Sequence, residues 1–334
     1  MAAILICGAS VFTACSSNDD NPFQPVVQVG IDKTNFPDDN FWNYLLGQDY
    51  GKDGVLTEAE IRNITVMDVS EKEIKSLKGI EYFTALRTLN CSDNELTELD
   101  ISGNTALDTL DCRYNELTAL DVSKNTALRS LDCSFNELTS LDISKNTALT
   151  YLYCDDNKLT SLDISKNTEL THLDCGFNEL TSLDISKNTA LTRLYCDDNK
   201  LTALDISKNT ALTSLSCDDN KLTALDISKN TALTRLSCSG NSLTSLDLSK
   251  NMALEKLLCF KNQISGQNMD ALIGSLRQNE SEEFCEFYVM DGNEPNQNVC
   301  TKSQAAAAKA KGWLPQYWDE DEEDWLEYEG SASS

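Results

Sequence analysis

Hydrophobic and polar positions follow one 21-residue pattern through most of this chain. The unit at residues 149–169 reads LTYLYCDDNKLTSLDISKNTE, and its apolar positions return at the same places in every copy. Each copy has a cysteine that lies 21 positions from the next without a slip. These nine cysteines are Cys91, Cys112, Cys133, Cys154, Cys175, Cys196, Cys217, Cys238 and Cys259. Such a fixed period indicates a repeat architecture.

Each copy predicts a short strand and then a second apolar half-turn. Leu152 and Cys154 alternate with Tyr151, Tyr153 and Asp155, which is the period of two expected of a strand with one buried face. The half-turn LDISKN repeats the inward apolar pattern. A single coil cannot bury these residues, so we expect stacked coils to share one continuous core.

An asparagine closes each half of the coil. Asn157 follows the strand, and Asn167 follows the second apolar run. A side-chain amide at such a turn can bond main-chain groups that the turning chain would otherwise leave unpaired.

The pattern L-x-x-L-x-[L/C]-x-x-N-x-L is the signature of a leucine-rich repeat. We therefore expect a β-rich (α/β-type) right-handed leucine-rich repeat solenoid over residues 64–265. Its first coil, residues 64–85, is diverged and has 22 residues. A helical cap at residues 31–63 and a small α+β cap at residues 266–334 are expected to close its two ends.

Thirteen cysteines would usually indicate a disulfide scaffold in an exported protein. The repeat changes that interpretation for nine of them, because an inward cysteine packs as a small apolar side chain. Stacked neighbours lie about 4.8 Å apart with parallel side chains, whereas a disulfide needs facing Cβ atoms. We expect a reduced cysteine ladder. The alternative is a row of metal ions, for which such a stack lacks tetrahedral geometry.

The formal net charge of −27 argues against nucleic-acid binding, which requires a basic surface. It also predicts repulsion from anionic membranes. No segment has 18 consecutive apolar residues, so no transmembrane helix is expected. We expect a monomer.

Residues 1–14, MAAILICGASVFTA, resemble a bacterial lipoprotein signal peptide with residues 12–15 as the lipobox. Phe12 replaces the usual leucine, and no Lys or Arg precedes the apolar run. The resemblance implies that Cys15 carries a lipid, that residues 15–30 form a disordered tether, and that the chain is anchored to the outer membrane at the cell surface. This lipid would be its membrane contact. The alternative is a cytosolic N-terminal helix.

Residues 31–63 predict a helix-loop-helix in which Asp38 or Asp39 caps the first helix. The loop DYGKDGVLTEAE, residues 49–60, resembles an EF-hand calcium loop but has Gly51 where Asp or Asn is expected. It is either a cap without calcium or a weakened calcium site. In the second case the oxygen ligands come from Asp49, Asp53, the Val55 carbonyl, Thr57 and Glu60.

The helical cap, the coils of 21 and 22 residues and the strand cysteine together resemble the internalin-type repeat proteins. They are also similar to surface leucine-rich repeat lipoproteins of Gram-negative anaerobes. The resemblance covers residues 31–265. It implies binding of a protein or glycan at the cell surface, without catalysis by the repeats.

The pattern breaks after the last coil. Residues 268–278 predict an amphipathic helix, and residues 283–290 predict a strand. Thr301 is expected to cap an alanine-rich helix that stops at Gly312. The segment 313–328 predicts a hairpin across an acidic loop.

Two further features of this C-terminal region carry chemistry. Cys285 and Cys300 lie outside the ladder and either form a disulfide or remain free. The acidic run 319–324 is interpreted as a solvated loop rather than a metal site.

The copies differ from one another mainly at the outward strand positions and just after the strand, whereas LDISKNTA is almost invariant. Since the exposed Lys and Thr of that half-turn have not drifted, we interpret the variable side as a binding face. The candidate partner-binding residues are Tyr114, Phe135, Tyr151, Tyr153, Asp155, Asp156, His172, Phe177, Arg193, Tyr195, Asp197, Asp198 and Arg235.

Exposed aromatic residues serve as interface anchors, and this face has an aromatic band in its middle. The band consists of Phe135, Tyr151, Tyr153, His172, Phe177 and Tyr195. Aspartates at 155, 156, 197, 198, 218 and 219 border it, which favours a basic partner or one bridged by calcium. The Asp and Lys columns of LDISKN are interpreted as mutual charge compensation.

The residue inventory argues against an enzyme. His172 is the sole histidine and has no adjacent nucleophile, and no Gly-rich phosphate loop, H-E-x-x-H or G-x-S-x-G motif occurs. We therefore predict a non-catalytic surface binding protein. The alternative is a structural spacer that presents its C-terminal cap.

Overall fold

The computed structural model describes residues 28–291, 298–319 and 324–331. The predicted signal peptide, Cys15 and residues 15–27 of the predicted tether lie outside the described residues, as do residues 320–323 of the acidic run. Within the described part, the longest helix has 10 residues, and no helix is long and apolar enough to cross a bilayer.

One sheet of 13 strands runs the length of the solenoid. Each coil contributes a three-residue parallel strand that pairs in register with its neighbours, so Leu152 lies opposite Leu131 and Leu173. The strands of the coils are β3 (Val66–Asp68), β4 (Thr88–Asn90), β5 (Thr109–Asp111), β6 (Ser130–Asp132), β7 (Tyr151–Tyr153), β8 (His172–Asp174), β9 (Arg193–Tyr195), β10 (Ser214–Ser216), β11 (Arg235–Ser237) and β12 (Lys256–Leu258). The solenoid prediction is confirmed.

The core of every coil is made of the repeated apolar positions. Leu152, Cys154, Leu159 and Ile164 are all 0% exposed, while the LDISKN half forms turns. The nine ladder cysteines are buried and free. Burial raises the pKa of the Cys154 thiol well above its usual value, so the ladder consists of neutral thiols that pack as apolar groups.

Two columns of buried asparagines connect the coils. Asn157 donates to the carbonyls of Cys133 at 3.0 Å and Cys154 at 3.3 Å, and its Oδ1 accepts from the backbone N–H of Leu138 at 2.9 Å. Two of these three partners belong to the preceding coil. The side chain therefore bonds the turn and holds the preceding coil at the same time.

The second column closes the other half of the coil with fewer bonds. Asn167 donates to the carbonyls of Ile143 at 3.1 Å and Asn146 at 2.9 Å. Its buried Oδ1 has no hydrogen-bond partner among the described residues. The column repeats this arrangement from Asn104 to Asn251.

The N-terminal cap is a helix-loop-helix with a small sheet, as predicted for its helices. Helices α1 (Asp39–Gly47) and α2 (Glu58–Asn63) flank the loop, and Asp38 caps α1. Strand β1 (Gln28–Gly30) pairs antiparallel with β2 (Val55–Thr57). The predicted tether is therefore wrong over its last three residues, because pairing with β2 orders them. A 3₁₀ turn, Ile80–Tyr82, lies in the first coil.

The C-terminal cap extends the same sheet. Its elements are α3 (Gly266–Ser275), β13 (Cys285–Asp291), α4 (Lys302–Ala310), β14 (Trp313–Asp319) and β15 (Asp324–Glu327). Strands β13 and β14 continue the parallel ladder, and β15 pairs antiparallel with β14 as the predicted hairpin. Thr301 caps α4 with a capping box. The cap thus continues the coils rather than forming a separate layer.

Cys285 and Cys300 are both free, so of the two alternatives the structure has the free thiols. Cys285 opens β13, whereas Cys300 lies near its far end, where Asn298 donates to the carbonyls of Val289 and Cys259. Four strand residues separate Cys285 from Val289, about 13 Å along the chain. This separation is well beyond the span of a disulfide.

The two asparagine columns predict unequal mutational costs. We expect Asn157→Ala to lower the free energy of unfolding by about 3 kcal/mol, because it removes the bonds to the Cys133 and Cys154 carbonyls and leaves the Leu138 N–H unpaired in the core. Asn167→Ala in the same coil should cost about 1–2 kcal/mol, since its Oδ1 has no bond to lose. Urea denaturation of both variants measures this, and equal costs would contradict the assigned bonds.

Candidate binding face

The outward strand residues form two columns along the sheet. In β7, Tyr151 and Tyr153 point outward on either side of buried Leu152. The register of β7, β8 and β9 makes the columns Tyr151–His172–Arg193 and Tyr153–Asp174–Tyr195. We call the first and third residues of β4 to β12 the strand face.

A further column lies in the turn after each strand. The residue two positions after each cysteine has a positive φ, for example 51° at Asp156. We call this set the turn column: Asp93, Tyr114, Phe135, Asp156, Phe177, Asp198, Asp219, Gly240 and Lys261. Glycine and, less freely, aspartate tolerate this left-handed conformation, whereas bulky side chains are uncommon in it.

The predicted aromatic band is two separate groups. On the strand face, the rings of Tyr151 and His172 lie 4.8 Å apart. In the turn column, Tyr114 and Phe135 stack at 4.2 Å with 13° between their planes, and Phe177 is 55% exposed. The prediction of a single band assumed that the alternation of the strand continues past the cysteine. The chain turns at that point, so the two groups lie apart.

Asp174 lies between two tyrosines in its column. Burial raises the pKa of its carboxyl to about 7, and repulsion from Asp155 and Asp197 adds to the shift. Tyr153 and Tyr195, its in-register neighbours, flank it from the two adjacent strands. Part of the negative charge of this face is therefore neutralised near pH 7. Asp174 is not among the predicted partner-binding residues, although its position in the L-x-C alternation marks it as outward.

The aspartates that precede the turn column are held by the next coil. Asp197 accepts from the hydroxyl of Ser216 and, at 3.0 Å, from the N–H of Asp218. Asp218 in turn accepts from Ser237 and Ser239. Burial raises the pKa of Asp218 to about 7. These carboxylates connect coils and are less available to a partner than predicted.

Cations are placed at the two sides of this acidic region. Arg113 makes ion pairs with Asp111 at 3.6 Å and Asp132 at 3.7 Å. Arg193 and Arg235 are exposed on the strand face. Burial and then the charge of Arg193 lower the pKa of His172, so its ring is neutral at pH 7.

The outward surface of the sheet continues beyond the strand face into the C-terminal cap. Tyr288 of β13 lies beneath the Lys256 ammonium, which is 4.8 Å from its ring centre. Trp325 packs 4.6 Å from Tyr288 and 5.1 Å from Phe260. Sequence reasoning missed this aromatic cluster because the repeat breaks before β13. The alternation within β13 was the available signal.

The opposite half-turn is fixed by backbone bonds rather than by ion pairs. Oδ1 of Asp142 accepts from the N–H of Ser144 at 2.9 Å. The bonds to Ser144 lower the pKa of Asp142, and Lys145 contributes less. The same bond recurs at Asp163. The predicted charge compensation between these columns contributes less than the bond by which the aspartate closes its own turn.

The residues of the EF-hand-like loop have other partners. Asp49 pairs with Lys52 at 2.6 Å, and Glu60 accepts from the N–H and hydroxyl of Thr57 in a capping box. Gly51 has no room for a side chain, since a Cβ there would lie 1.9 Å from the Leu45 carbonyl oxygen. The departure from the EF-hand pattern is thus required by packing.

Among the described residues, no cluster of three or more His, Cys, Asp or Glu side chains is arranged to hold a metal ion. The loop carboxylates do not fit an EF-hand ligand set as they stand, which favours the cap. Calcium binding through Asp49, Asp53, Val55, Thr57 and Glu60 stays a prediction.

The repeats match known sequences. The family model described as Leucine Rich repeats (2 copies) matches residues 126–167. Internalin J of Listeria monocytogenes serotype 4b (strain F2365) is 41% identical over 71 residues. That alignment covers 21% of this chain and 8% of Internalin J, so the chain spans only a small part of that protein.

Solved structures extend the likeness to the fold. The functional domain of InlJ from Listeria monocytogenes, which includes a cysteine ladder, is 33% identical with a TM-score of 0.60 over 80% of this chain and 68% of that domain. A leucine-rich repeat protein of Leptospira interrogans is 20% identical with a TM-score of 0.60 over 78% of each chain, a likeness of fold alone.

The repeat match and the likeness to a domain with a cysteine ladder define a leucine-rich repeat protein with a cysteine ladder. This chain belongs to the internalin-type leucine-rich repeat proteins. The resemblance to the internalin-type repeat proteins, inferred from the sequence, is confirmed.

The desolvated Asp174 predicts a pH-dependent stability. Its folded pKa lies above its unfolded value, so its stability contribution is complete below about pH 4 and is lost as the pH rises through about 7. We expect Asp174→Asn to be more stable than wild type by about 1–2 kcal/mol at pH 8. The gain should shrink on acidification. Chemical denaturation between pH 4 and pH 8 measures this.

Asp163→Asn is the matched control, because the bonds to Ser165 lower rather than raise the pKa of Asp163. That variant should show no gain at pH 8. A gain for Asp174→Asn that is independent of pH would contradict the assigned burial of charge.

The loop of the N-terminal cap predicts that restoring the EF-hand residue is harmful. We expect Gly51→Asp to lower the free energy of unfolding by about 2 kcal/mol or more, because its Cβ overlaps the Leu45 carbonyl. Gly47→Asp is the control, since a Cβ at Gly47 meets no atom within 4 Å. Thermal melts with calcium and with chelator measure both. A calcium-induced rise in the melting temperature of the wild type would contradict the cap without calcium.

Proposed function

We propose that this chain is a non-catalytic cell-surface binding protein whose strand face docks a protein partner. The internalin-type fold supports a role in protein interaction or adhesion. The finer assignment of the site depends on one observation. The copies differ where side chains project from the sheet and agree where they do not.

The strand face has the properties of an interface. Tyr151 is 41% exposed on the sheet although no packing requires an aromatic residue there, since other coils have Ser or Thr at the same position. Tyrosine at the centre of an interface provides contact area at low entropic cost. The nine parallel strands of this face give about 40 Å of length, which is enough for a standard interface.

The two halves of the coil support different roles. The aspartate of LDISKN closes its own turn, so that half is constrained by the fold in every coil. The strand face has no such bond to preserve at Tyr151 or Arg193, which leaves it available for recognition. A protein partner is favoured over a neutral glycan, because exposed Arg193 and Arg235 lie on this surface and exposed carboxylates of the turn column lie beside it.

We also propose that Cys15 is the lipid-bearing residue that anchors the chain to the outer membrane. The apolar residues 1–14 and the small residues before Cys15 support this. Mass spectrometry of the mature protein from cells tests it directly, because a lipid on Cys15 adds a defined mass to the N-terminal peptide.

The strand face predicts a loss of binding on removal of its tyrosines. We expect the variant Tyr151→Ala, Tyr153→Ala, Tyr195→Ala to bind its partner about 100-fold more weakly or worse, because central aromatic anchors carry most of an interface's energy. Immobilised protein exposed to arrays of extracellular-matrix proteins and glycans identifies the partner, and surface plasmon resonance measures the affinity.

The control variant carries Lys145→Ala, Lys166→Ala and Lys187→Ala on the opposite half-turn. It should bind as the wild type does, and both variants should retain the wild-type circular dichroism spectrum. Unchanged binding by the tyrosine variant, or the absence of any array ligand, would overturn the proposed binding face.

A further inference from the structure

The turn column contains a slot between two aromatic rings. Phe135 and Phe177 lie two coils apart, with Asp156 in the coil between them. Two coil spacings are about 9.6 Å, and aspartate is much shorter than phenylalanine. The rings therefore stand on either side of a gap one coil wide that has a carboxylate at its base.

One ring of the slot, Phe135, is supported by a stacked neighbour. Tyr114 stacks on Phe135 at 4.2 Å with only 13° between the rings. This stack covers the face of Phe135 that points away from Asp156. The face toward Asp156 is thus the open one, and Phe135 and Phe177 remain 37% and 55% exposed.

The fold does not require aromatic rings at these positions. Phe135 and Phe177 have φ values of 52° and 49°, a left-handed conformation that is unfavourable for bulky residues and easier for Asp or Gly. Other coils have Asp198, Asp219 and Gly240 at the same position. A strained backbone that carries largely exposed rings points to a function.

The charge of the slot indicates what would enter it. The Asp156 carboxylate is exposed and takes part in no ion pair with the described residues. The nearby cation Arg113 is already paired with Asp111 and Asp132. The slot therefore offers an uncompensated negative charge between two exposed aromatic rings.

We propose that this slot binds the guanidinium group of an arginine side chain of the protein partner. A planar cation midway between the rings lies about 4.8 Å from each, which is within the range of a cation–π contact. Its N–H groups then reach the Asp156 carboxylate. The proposal rests on the proposed function, since it names the chemistry by which the binding face recognises a protein.

Arginine fits this slot better than lysine. A guanidinium is flat and stacks on aromatic faces while it donates in its own plane, whereas an ammonium is a compact, strongly hydrated point charge. Binding should therefore follow the order arginine, lysine, citrulline, where citrulline has nearly the same shape as arginine without its charge.

The test uses the full chain and three fluorescein-labelled peptides that alternate glycine with arginine, lysine or citrulline. Fluorescence anisotropy at about 0.15 M salt gives the dissociation constants. We expect the arginine peptide to bind at least about tenfold more tightly than the citrulline peptide. Asp156→Asn and Phe177→Asn should each weaken arginine binding about fivefold. Asparagine suits the left-handed turn, so the melting temperature should be unchanged or higher.

Asp198→Asn is the matched control. It removes the same charge from the same column, but Asp198 has a ring on one side only, because Phe177 and Asp219 are its neighbours. Its arginine affinity should equal that of the wild type. Equal weakening by Asp156→Asn and Asp198→Asn would mean general electrostatics and would overturn the slot. Equal binding of arginine and citrulline peptides would overturn it too.

The two proposals fail in different ways. If the tyrosine variant loses its partner but Asp156→Asn leaves the affinity for the arginine peptide unchanged, the proposed binding face is supported and the slot is overturned. If arginine-peptide affinity changes as expected while no partner requires the strand-face tyrosines, the slot is supported as a site and the proposed binding face is overturned.

Discussion

Buried asparagine side chains bond each coil to the one before it, and the other features of the solenoid follow from those bonds. A coil that closes in 21 residues turns too sharply for its main chain to satisfy itself. Asn157 supplies both donors and an acceptor at the end of the strand. Each such bond also fixes the spacing of two coils, so the turn chemistry and the stacking of the sheet are one constraint. This is why the core is continuous and no coil is an independent unit.

The same constraint divides the surface of each coil. The LDISKN turn is closed by its own aspartate, as Asp163 shows with its bond to Ser165, so its sequence is limited by local hydrogen bonding. Tyr151 and Arg193 point outward at the first strand position with no such bond to keep, whereas Asp174 at the third position accepts from the N–H of Gly176. The turn column needs only a left-handed conformation. Variation between copies is therefore least constrained at the first strand position. Phe135 and Phe177 are the exception, because they keep a left-handed backbone that is unfavourable for bulky residues. This points to selection for contact with a partner.

The period of the apolar residues was enough to predict the solenoid, the buried ladder and the closing role of Asn157, because each depends on contacts that recur in every coil. Features that occur only once in the chain were harder to predict. The arrangement of Tyr114 with Phe135 depends on where the strand ends, and the lack of space at Gly51 depends on the path of α1. The separation of Cys285 from Cys300 depends on β13 continuing the sheet. None of these has a repeated signal in the sequence.

The strand face also shows why composition is a poor guide to the charge a partner meets. The chain has a net charge of −27, yet burial raises the pKa of Asp174 to about 7. Rings that would anchor a partner are thus the groups that desolvate the nearest carboxylate. A partner cation beside Asp174 would favour its ionised form, so part of the attraction would be spent on releasing a proton. The Asp156 carboxylate of the turn column is exposed to solvent and takes part in no ion pair with the described residues, so a cation can reach it directly. Recognition of a cation is therefore more effective at the turn column, while the strand face contributes mainly aromatic contact.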